Sequence, residues 1–427
     1  MNTYSERLAF IAQPNIAVTL KQRLRGLEKE SLRIEATSGH LAQTPHPAAL
    51  GSALCSAHTT TDFSEALLEF ITEPCESVEA ALEKLSEVHR FTYSVLDDEL
   101  LWVASMPCIL ATDGAIPVAQ YGSSNVAKMK TAYRLGLGNR YGRAMQTIAG
   151  IHFNFSFSDS FFEALMLNCG EDNDLQTFKT ERYLAMIRNF HRQAWLLLYL
   201  FGASPAVCKS FLQGREHSLT PLSRGTIHGK YATTLRMGDL GYTSNAQDNL
   251  FICYNKLETY IESLHEALTT PYPDFEGVGV QDENGNYKQL SANILQIENE
   301  YYSPIRPKRT AKPGETPIKA LHERGIEYIE VRCLDLNPHL PLGTDVASLK
   351  FVELFLIDCL LQGDDILDVF GLRETRSNFK AVVEEGRKPD LNLQRNGQDV
   401  SLNAWDSECM ARMSDVAVAR PALDDAE

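Results

Sequence analysis

The stretch Ile151-His152-Phe153-Asn154-Phe155-Ser156-Phe157 decides how the rest of the chain is read. His152, Asn154 and Ser156 alternate with Phe153, Phe155 and Phe157. Successive side chains of a strand point to opposite faces, so this run predicts a strand with one aromatic face and one polar face. Three other runs repeat the pattern. In residues 26–34, Glu28 and Glu30 share a face. In residues 293–302, Gln296, Glu298 and Glu300 do so. In residues 326–334, Tyr328, Glu330 and Arg332 stand against Ile329, Val331 and Cys333. Ordinary solvated faces are rich in Lys, Thr and Glu. These four are almost free of lysine and mix His, Asn, Gln and Arg with carboxylates, so they read as the lining of a cleft.

Between these runs the spacing predicts helices. Ser77 N-caps a long one whose apolar positions recur every three or four residues up to Leu96. Residues 5–25 are weakly helical, 161–200 helical in one or two pieces, 245–268 an amphipathic helix, and 348–361 a buried helix. Residues 37–61 read as a loop. Asp282-Glu283-Asn284-Gly285 is a turn between strands. From about Arg376 the chain is polar, ending in the acidic tail 424–427. No internal repeat is visible. The alternation of strands and helices is irregular, which predicts an α+β fold with a mainly antiparallel sheet flanked by helices.

The chain has 427 residues, with 40 Lys plus Arg against 56 Asp plus Glu, a formal net charge of -16. That excludes broad nucleic-acid or anionic-membrane binding, which needs a basic footprint. No run reaches the ~18 consecutive apolar residues of a membrane span. Residues 194–208 come nearest but contain Gly202, Ser204 and Pro205. No apolar leader follows the N-terminus, so a cytoplasmic protein is expected. The nine cysteines are scattered, never spaced CxxC, and read as reduced; their spacing assigns no disulfide.

Residues 60–70 add Asp62 and Glu69 to the acids. Residues 67–72 fit either a strand that aims Glu69 with Ile71 or a helix that stacks Asp62 and Glu69; both geometries bring the acids together. Converging carboxylates repel unless cations lie between them. Many acids with a single His suit Mg²⁺ or Mn²⁺ better than zinc. Arg134, Arg236, Arg306 and Arg332 would bind phosphate or carboxylate with planar forks. Acids, divalent ions and arginines together point to phosphoryl transfer. Residues 225–230 (GTIHGK) lack the spacing of a phosphate-binding loop, so ATP would be held through metals on the sheet face.

The stretches RGLEKESLRI (25–34), TTDFSEALLEFIT (60–72), YRLGLGNRYG (133–142), MQTIAGIHFNFS (145–156), LQIENEYYSPIRPKR (295–309) and GIEYIEVRCLDLNP (325–338) are similar to those of one family. The chain resembles the proteobacterial type of glutamate–cysteine ligase (γ-glutamylcysteine synthetase), from about residue 20 to about residue 390. The resemblance implies a glutamine-synthetase-like catalytic fold over residues 1–390, with 391–427 as a C-terminal segment shorter than usual for the family. It implies ATP-dependent joining of the glutamate γ-carboxylate to the cysteine amine through γ-glutamyl phosphate. By the same resemblance, Glu28, Glu30, Asp62, Glu69, His152 and Glu330 hold two or more Mg²⁺ or Mn²⁺ ions. Arg236 and Arg332, with Glu330, are the implied catalytic groups, Arg332 steadying charge in the transition state. Phe63, Tyr133, Arg134, Gln146, Tyr242 and Tyr302 line the acceptor pocket, and Asn154 contacts substrate or ATP. The expected partners are glutamate, cysteine and ATP, with no nucleic acid, membrane or obligate protein partner. Leu135 and Gly138 stand where the family carries charged residues. That departure keeps open a ligase for another small amine. A non-catalytic paralogue would show decayed metal ligands, and none has decayed.

Overall fold

The protein, a computed structural model, is described over residues 3–241, 245–248 and 250–419. Helices α1 (Tyr4–Ile11) and α2 (Pro14–Lys21) lead into β1 (Leu24–Glu35). There follow β2 (Thr59–Thr61), β3 (Leu67–Ile71), α3 (Val78–Val95), β4 (Glu99–Leu101), α4 (Asn125–Tyr141), β5 (Ile151–Ser156), α5 (Asp159–Cys169), α6 (Leu175–Gln193) and α7 (Trp195–Phe201). A small sheet is built from β6 (Ala206–Cys208), β7 (Thr220–Pro221) and β8 (Thr226–His228). Then come α8 (Asn245–Asp248), α9 (Leu257–Thr269), α10 (Pro273–Val278), β9 (Ile305–Lys308), α11 (Pro317–Arg324), β10 (Tyr328–Leu334), α12 (Val346–Leu361), α13 (Val369–Glu385), the hairpin β11 (Asn392–Arg395) and β12 (Gln398–Ser401), and α14 (Leu402–Ala419).

The main sheet runs β2-β3-β1-β5-β10-β9, with β4 pairing the end of β1, and the ladders between these strands are antiparallel. The expected α+β class and antiparallel sheet are thus present. So is the two-faced strand at its centre: Phe153 and Phe155 are buried in the core, and Phe155 stacks edge-on against Phe157, 4.9 Å away. On the same rear face of β1, Lys29 donates to Ser31 Oγ (2.8 Å) and lies 3.1 Å from His89 Nε2 of α3. Arg23 and Arg25 pair with buried Glu353 of α12. Ser77 caps α3 as expected, its hydroxyl accepting from Ala80 N–H.

Several expected elements differ. Residues 293–302 are not a strand but an irregular segment with one 3-10 turn, Glu298–Glu300. Period-two alternation there is a by-product of separate contacts: Glu298 accepts from Ile318 N–H at the start of α11, whereas Glu300 is buried under Arg140. The predicted helix 245–268 is two helices, α8 and α9, separated by residues 249–256. The 282–285 turn is flanked by a single bridge, Gln281 to Tyr287, rather than by strands. Residues 161–200 form three helices, not one or two. The polar stretch after Arg376 is ordered as the rest of α13, a hairpin and α14. Helix α14 docks through Trp405 on Trp195 (5.0 Å) and Arg412 on buried Asp358 (3.2 Å). The tail 424–427 and Tyr242 lie outside the described residues.

Candidate active site

The register of the sheet arranges the predicted residues in rows across one face. Thr60, Glu69 and Glu30 lie opposite one another on β2, β3 and β1. The next row pairs Glu28 of β1 with His152 of β5. The third runs Gly26, Asn154, Glu330 and Arg306 across β1, β5, β10 and β9. Two residues along a strand return to the same face, so these rows stack into one polar surface. Period-two spacing in three separate segments and antiparallel register are together enough to build it.

In the second and third rows, ligand atoms of Glu28, His152 and Glu330 lie within 4.8 Å of one another. His152 Nδ1 is 3.2 Å from Glu28 Oε2 and 3.4 Å from Glu330 Oε1. Its Nε2 is buried without a hydrogen-bond partner. Asn154 Nδ2 donates to Glu28 Oε1 (2.8 Å), which places Asn154 as a support for a metal-site carboxylate. Arg332 donates to Glu330 Oε1 (2.8 Å), and Lys308 Nζ lies 3.3 Å from Glu330 Oε2. Burial opposes ionisation of Glu330, but Arg332, Lys308 and His152 outweigh it and hold the carboxyl well below its usual range. Burial, then Arg332, lowers His152, so the ring is a neutral, ligating imidazole.

The first row is a different electrostatic environment. Glu30 is buried, and burial followed by the charge of Asp62 pushes it up to about 8. Burial, with Glu28, Asp62 and Glu30 adding to it, raises Glu69 well above its usual range. Carboxyls crowded in this way hold protons unless divalent cations replace them. A buried orphan nitrogen beside one set of acids, and mutually raised acids in the next row, fit hard divalent ions with oxygen ligands and one imidazole.

Asp62 closes a tight turn, its N–H donating to Leu67 O (3.0 Å). Arg134 is spent on that turn: its Nε donates to Asp62 C=O and its Nη1 to Lys130 C=O (3.1 Å), and its guanidinium lies 4.7 Å over the Tyr121 ring. Phe63 is buried beside α4, where a β-carbon on Gly138 would lie 3.3 Å from Phe63 Cζ. Gln146 Nε2 reaches the Tyr302 hydroxyl at 3.5 Å. Tyr133 feels both Tyr302 and Asp62, so Phe63, Tyr133, Gln146 and Tyr302 gather beside the first-row acids. Tyr302, Arg236 and Arg332 line a cavity of about 560 Å³ that reaches back to His191 and α13. Arg236 Nη2 donates to Arg332 C=O (2.8 Å).

A family model described as glutamate-cysteine ligase matches residues 8–382. The chain belongs to the glutamate–cysteine ligase family. A glutamate–cysteine ligase of Alcanivorax borkumensis is 52% identical over 421 residues, covering 98% of this chain and 80% of that one. One of Pseudomonas putida (strain KT2440) is 52% identical over 398 residues, covering 93% and 75%. Among solved structures, the Francisella tularensis glutamate–cysteine ligase in complex with AMP matches with a TM-score of 0.87 at 36% identity, over 95% of this chain and 82% of that chain.

Sequence reasoning passed over some residues of this family member's site. Lys308 was hidden because residues 305–308 are short, yet Arg306 and Lys308 alternate there as the other polar faces do. Glu300 was placed on the metal face. It instead bonds Arg140 (2.8 Å), Tyr141 OH (2.7 Å) and Gln296 N–H (2.7 Å), while Gln247 bridges Glu300 C=O (3.0 Å) and Tyr302 N–H (2.9 Å). That network fixes the segment bearing Tyr302.

Proposed function

We propose that this chain is an ATP-dependent ligase that joins the γ-carboxylate of glutamate to the amine of cysteine, giving γ-glutamylcysteine, ADP and phosphate. The observation that carries the reading is the two-row face itself: Glu28, His152 and Glu330 in contact, Glu30 and Glu69 directly opposed beside Asp62, and two arginines at its edge. Magnesium or manganese ions, two or more, would be held by Glu28, Glu30, Asp62, Glu69, His152 and Glu330. Bound there, they would neutralise the triphosphate and align it for in-line transfer.

The chain's own groups do the rest. Arg332 and Arg236 receive negative charge on the transferred phosphoryl group and the glutamate carboxylate, preorganised in a site that excludes water. The γ-carboxylate oxygen bonds to the γ-phosphorus as the bond to ADP breaks, giving γ-glutamyl phosphate. The cysteine amine then forms the C–N bond, and phosphate leaves with the C–O electrons. Phe63, Tyr133, Gln146 and Tyr302 would hold the acceptor, joined by Tyr242. Arg134 supports the pocket by fixing the Asp62 turn. Glutamate, cysteine and ATP are the partners this reading needs. Among the described residues no helix is long and apolar enough to cross a membrane, in keeping with a cytoplasmic enzyme.

Phosphate release from ATP with Mg²⁺ and glutamate, with cysteine, 2-aminobutyrate, alanine, serine, glycine or no acceptor, tests the reading. Strong stimulation by cysteine with a γ-glutamyl dipeptide as product is expected. Turnover that ignores the acceptor would overturn it. A second reading, a ligase for a different small amine, is favoured by the contact between Gly138 and Phe63: a residue without a side chain adjoins the acceptor pocket where the family carries a charge. Stimulation by another amine and not by cysteine would select it.

A further inference from the structure

Asp335 is a buried carboxylate to which the mechanism above gives no task. It is 6% exposed and follows the last residue of β10. Its Oδ2 accepts from Ala203 N–H (2.9 Å) and Ser204 Oγ–H (2.6 Å), and its Oδ1 accepts from Thr234 Oγ1–H (3.0 Å). Ser204 and Thr234 lie 3.0 Å apart through their hydroxyls, and Leu235 N–H donates to Ser204 C=O (2.8 Å). Three hydrogen bonds to one carboxylate therefore staple residues 203–204 and 234–235 to the end of β10.

Arg236 follows directly. It is 1% exposed and has no strand or helix of its own to hold it. Its guanidinium reaches Arg332 C=O, three residues before Asp335 on the same strand, and lies against Gly150. The charge of Arg236 in turn pulls down the Asp335 carboxyl against its burial. A buried arginine needs countercharge to remain in place before an anionic substrate arrives.

The sheet explains why Asp335 is on this side. Val331 pairs with Phe153, but Leu334 pairs with Ile151, so Arg332 and Cys333 together oppose the single residue His152. This bulge reverses the alternation. Leu334 joins the rear face with Ile151, and Asp335 is delivered toward Arg236.

We infer that Asp335 is the positioning residue for Arg236: its carboxylate, through Ser204 and Thr234, sets where the Arg236 guanidinium meets the anionic groups of glutamate and its phosphate. The inference rests on the ligase reading above.

The test is steady-state kinetics of Asp335→Asn and Thr234→Val in the full-length chain, each substrate varied separately, with a thermal melt confirming a folded protein at the assay temperature. Asp335→Asn keeps the shape and removes the charge. Its kcat/KM for glutamate should fall at least tenfold while KM for cysteine changes less than twofold. Thr234→Val breaks only the link to the Arg236 segment and should lower kcat/KM for glutamate at least threefold, with the same spared cysteine KM. If Asp335→Asn does not fold, the Thr234→Val result decides. Equal losses for every substrate, or none, in an active wild-type background would overturn the Asp335 assignment alone. A wild type without cysteine-dependent turnover would overturn the ligase reading and this inference with it.

Discussion

Gly150 lies so close beneath Arg236 that a β-carbon built on it would sit 2.1 Å from Nη2 of the guanidinium. The same glycine exchanges two hydrogen bonds with Glu30: its N–H donates to Glu30 Oε2 (2.7 Å) and its C=O accepts from Glu30 N–H (3.0 Å). One residue without a side chain thus sets the gap between a first-row carboxylate and a phosphate-facing arginine.

Gly150→Ala should therefore push Arg236 out of place. Overpacking of this kind costs about 1–3 kcal/mol of stability, but a misplaced charge near 1 Å costs on the order of 100-fold in rate. Turnover is expected to fall far more than the melting temperature. A variant with near-normal kcat would show that Arg236 is not held where the reaction needs it.

The crowded first row predicts how metal ions act on stability. Glu69→Gln removes a carboxyl that burial and three neighbouring acids destabilise. Without divalent ions the variant should melt at or above the wild-type temperature. Ions that bind only the folded state stabilise by about 2.7 kcal/mol at a hundred times Kd, and the variant should lose most of the melting shift produced by Mg²⁺. An undiminished shift would remove Glu69 from the metal set. Glu28→Gln and Glu330→Gln should each abolish turnover in a folded protein. Near-normal ligase rates in both would sink the metal assignment.

Arg140 and Glu300 form an ion pair with both side chains fully buried. Arg140→Met leaves Glu300 charged and underpaired, a change that costs about 3–5 kcal/mol. Because Glu300 anchors the segment carrying Tyr302, KM for the acceptor should rise more than KM for ATP. Chemical denaturation and kinetics with each substrate varied measure both effects. Unchanged stability would contradict the buried pair.

Acid should weaken the fold through His191. Burial, then Arg376 and Arg192, lowers this histidine from 6.5 to about 3. Between those values the unfolded chain binds a proton that the folded chain refuses, so stability falls as pH drops from 6.5 toward 3 and is unaffected by this group above 6.5. His191→Gln should flatten the acid limb of stability against pH. An identical slope in wild type and variant would show that other groups carry the dependence.

Much of this was legible in the sequence where one strand supplied its own evidence. The alternation in 26–34, 151–157 and 326–334 was correct because each run is a sheet strand with one face on the core. Register then needed only antiparallel pairing to bring Glu28 to His152. The same alternation misled at 293–302, since period two in a polar segment can arise from unrelated tertiary contacts, as Glu298 and Glu300 illustrate. Arg134 read as a substrate ligand because a lone arginine looks free in a sequence; its bonds go to backbone carbonyls, which leave no mark there. Lys308 lay on a strand too short to show a period. Helix α14 has an apolar face but no capping signal in the sequence, so its docking on α12 was invisible.

The bulge at Arg332 and Cys333 has a consequence for how this segment can vary. The strand spends one residue more than its ladder requires. Exchange of Cys333 for another small residue leaves that count intact. Deleting it would repair the ladder and shift the reading frame of everything after it. Leu334 would then turn from the rear core toward the site, and the carboxylate behind Arg236 would turn into apolar surroundings. Length, more than composition, is what residues 331–335 must preserve.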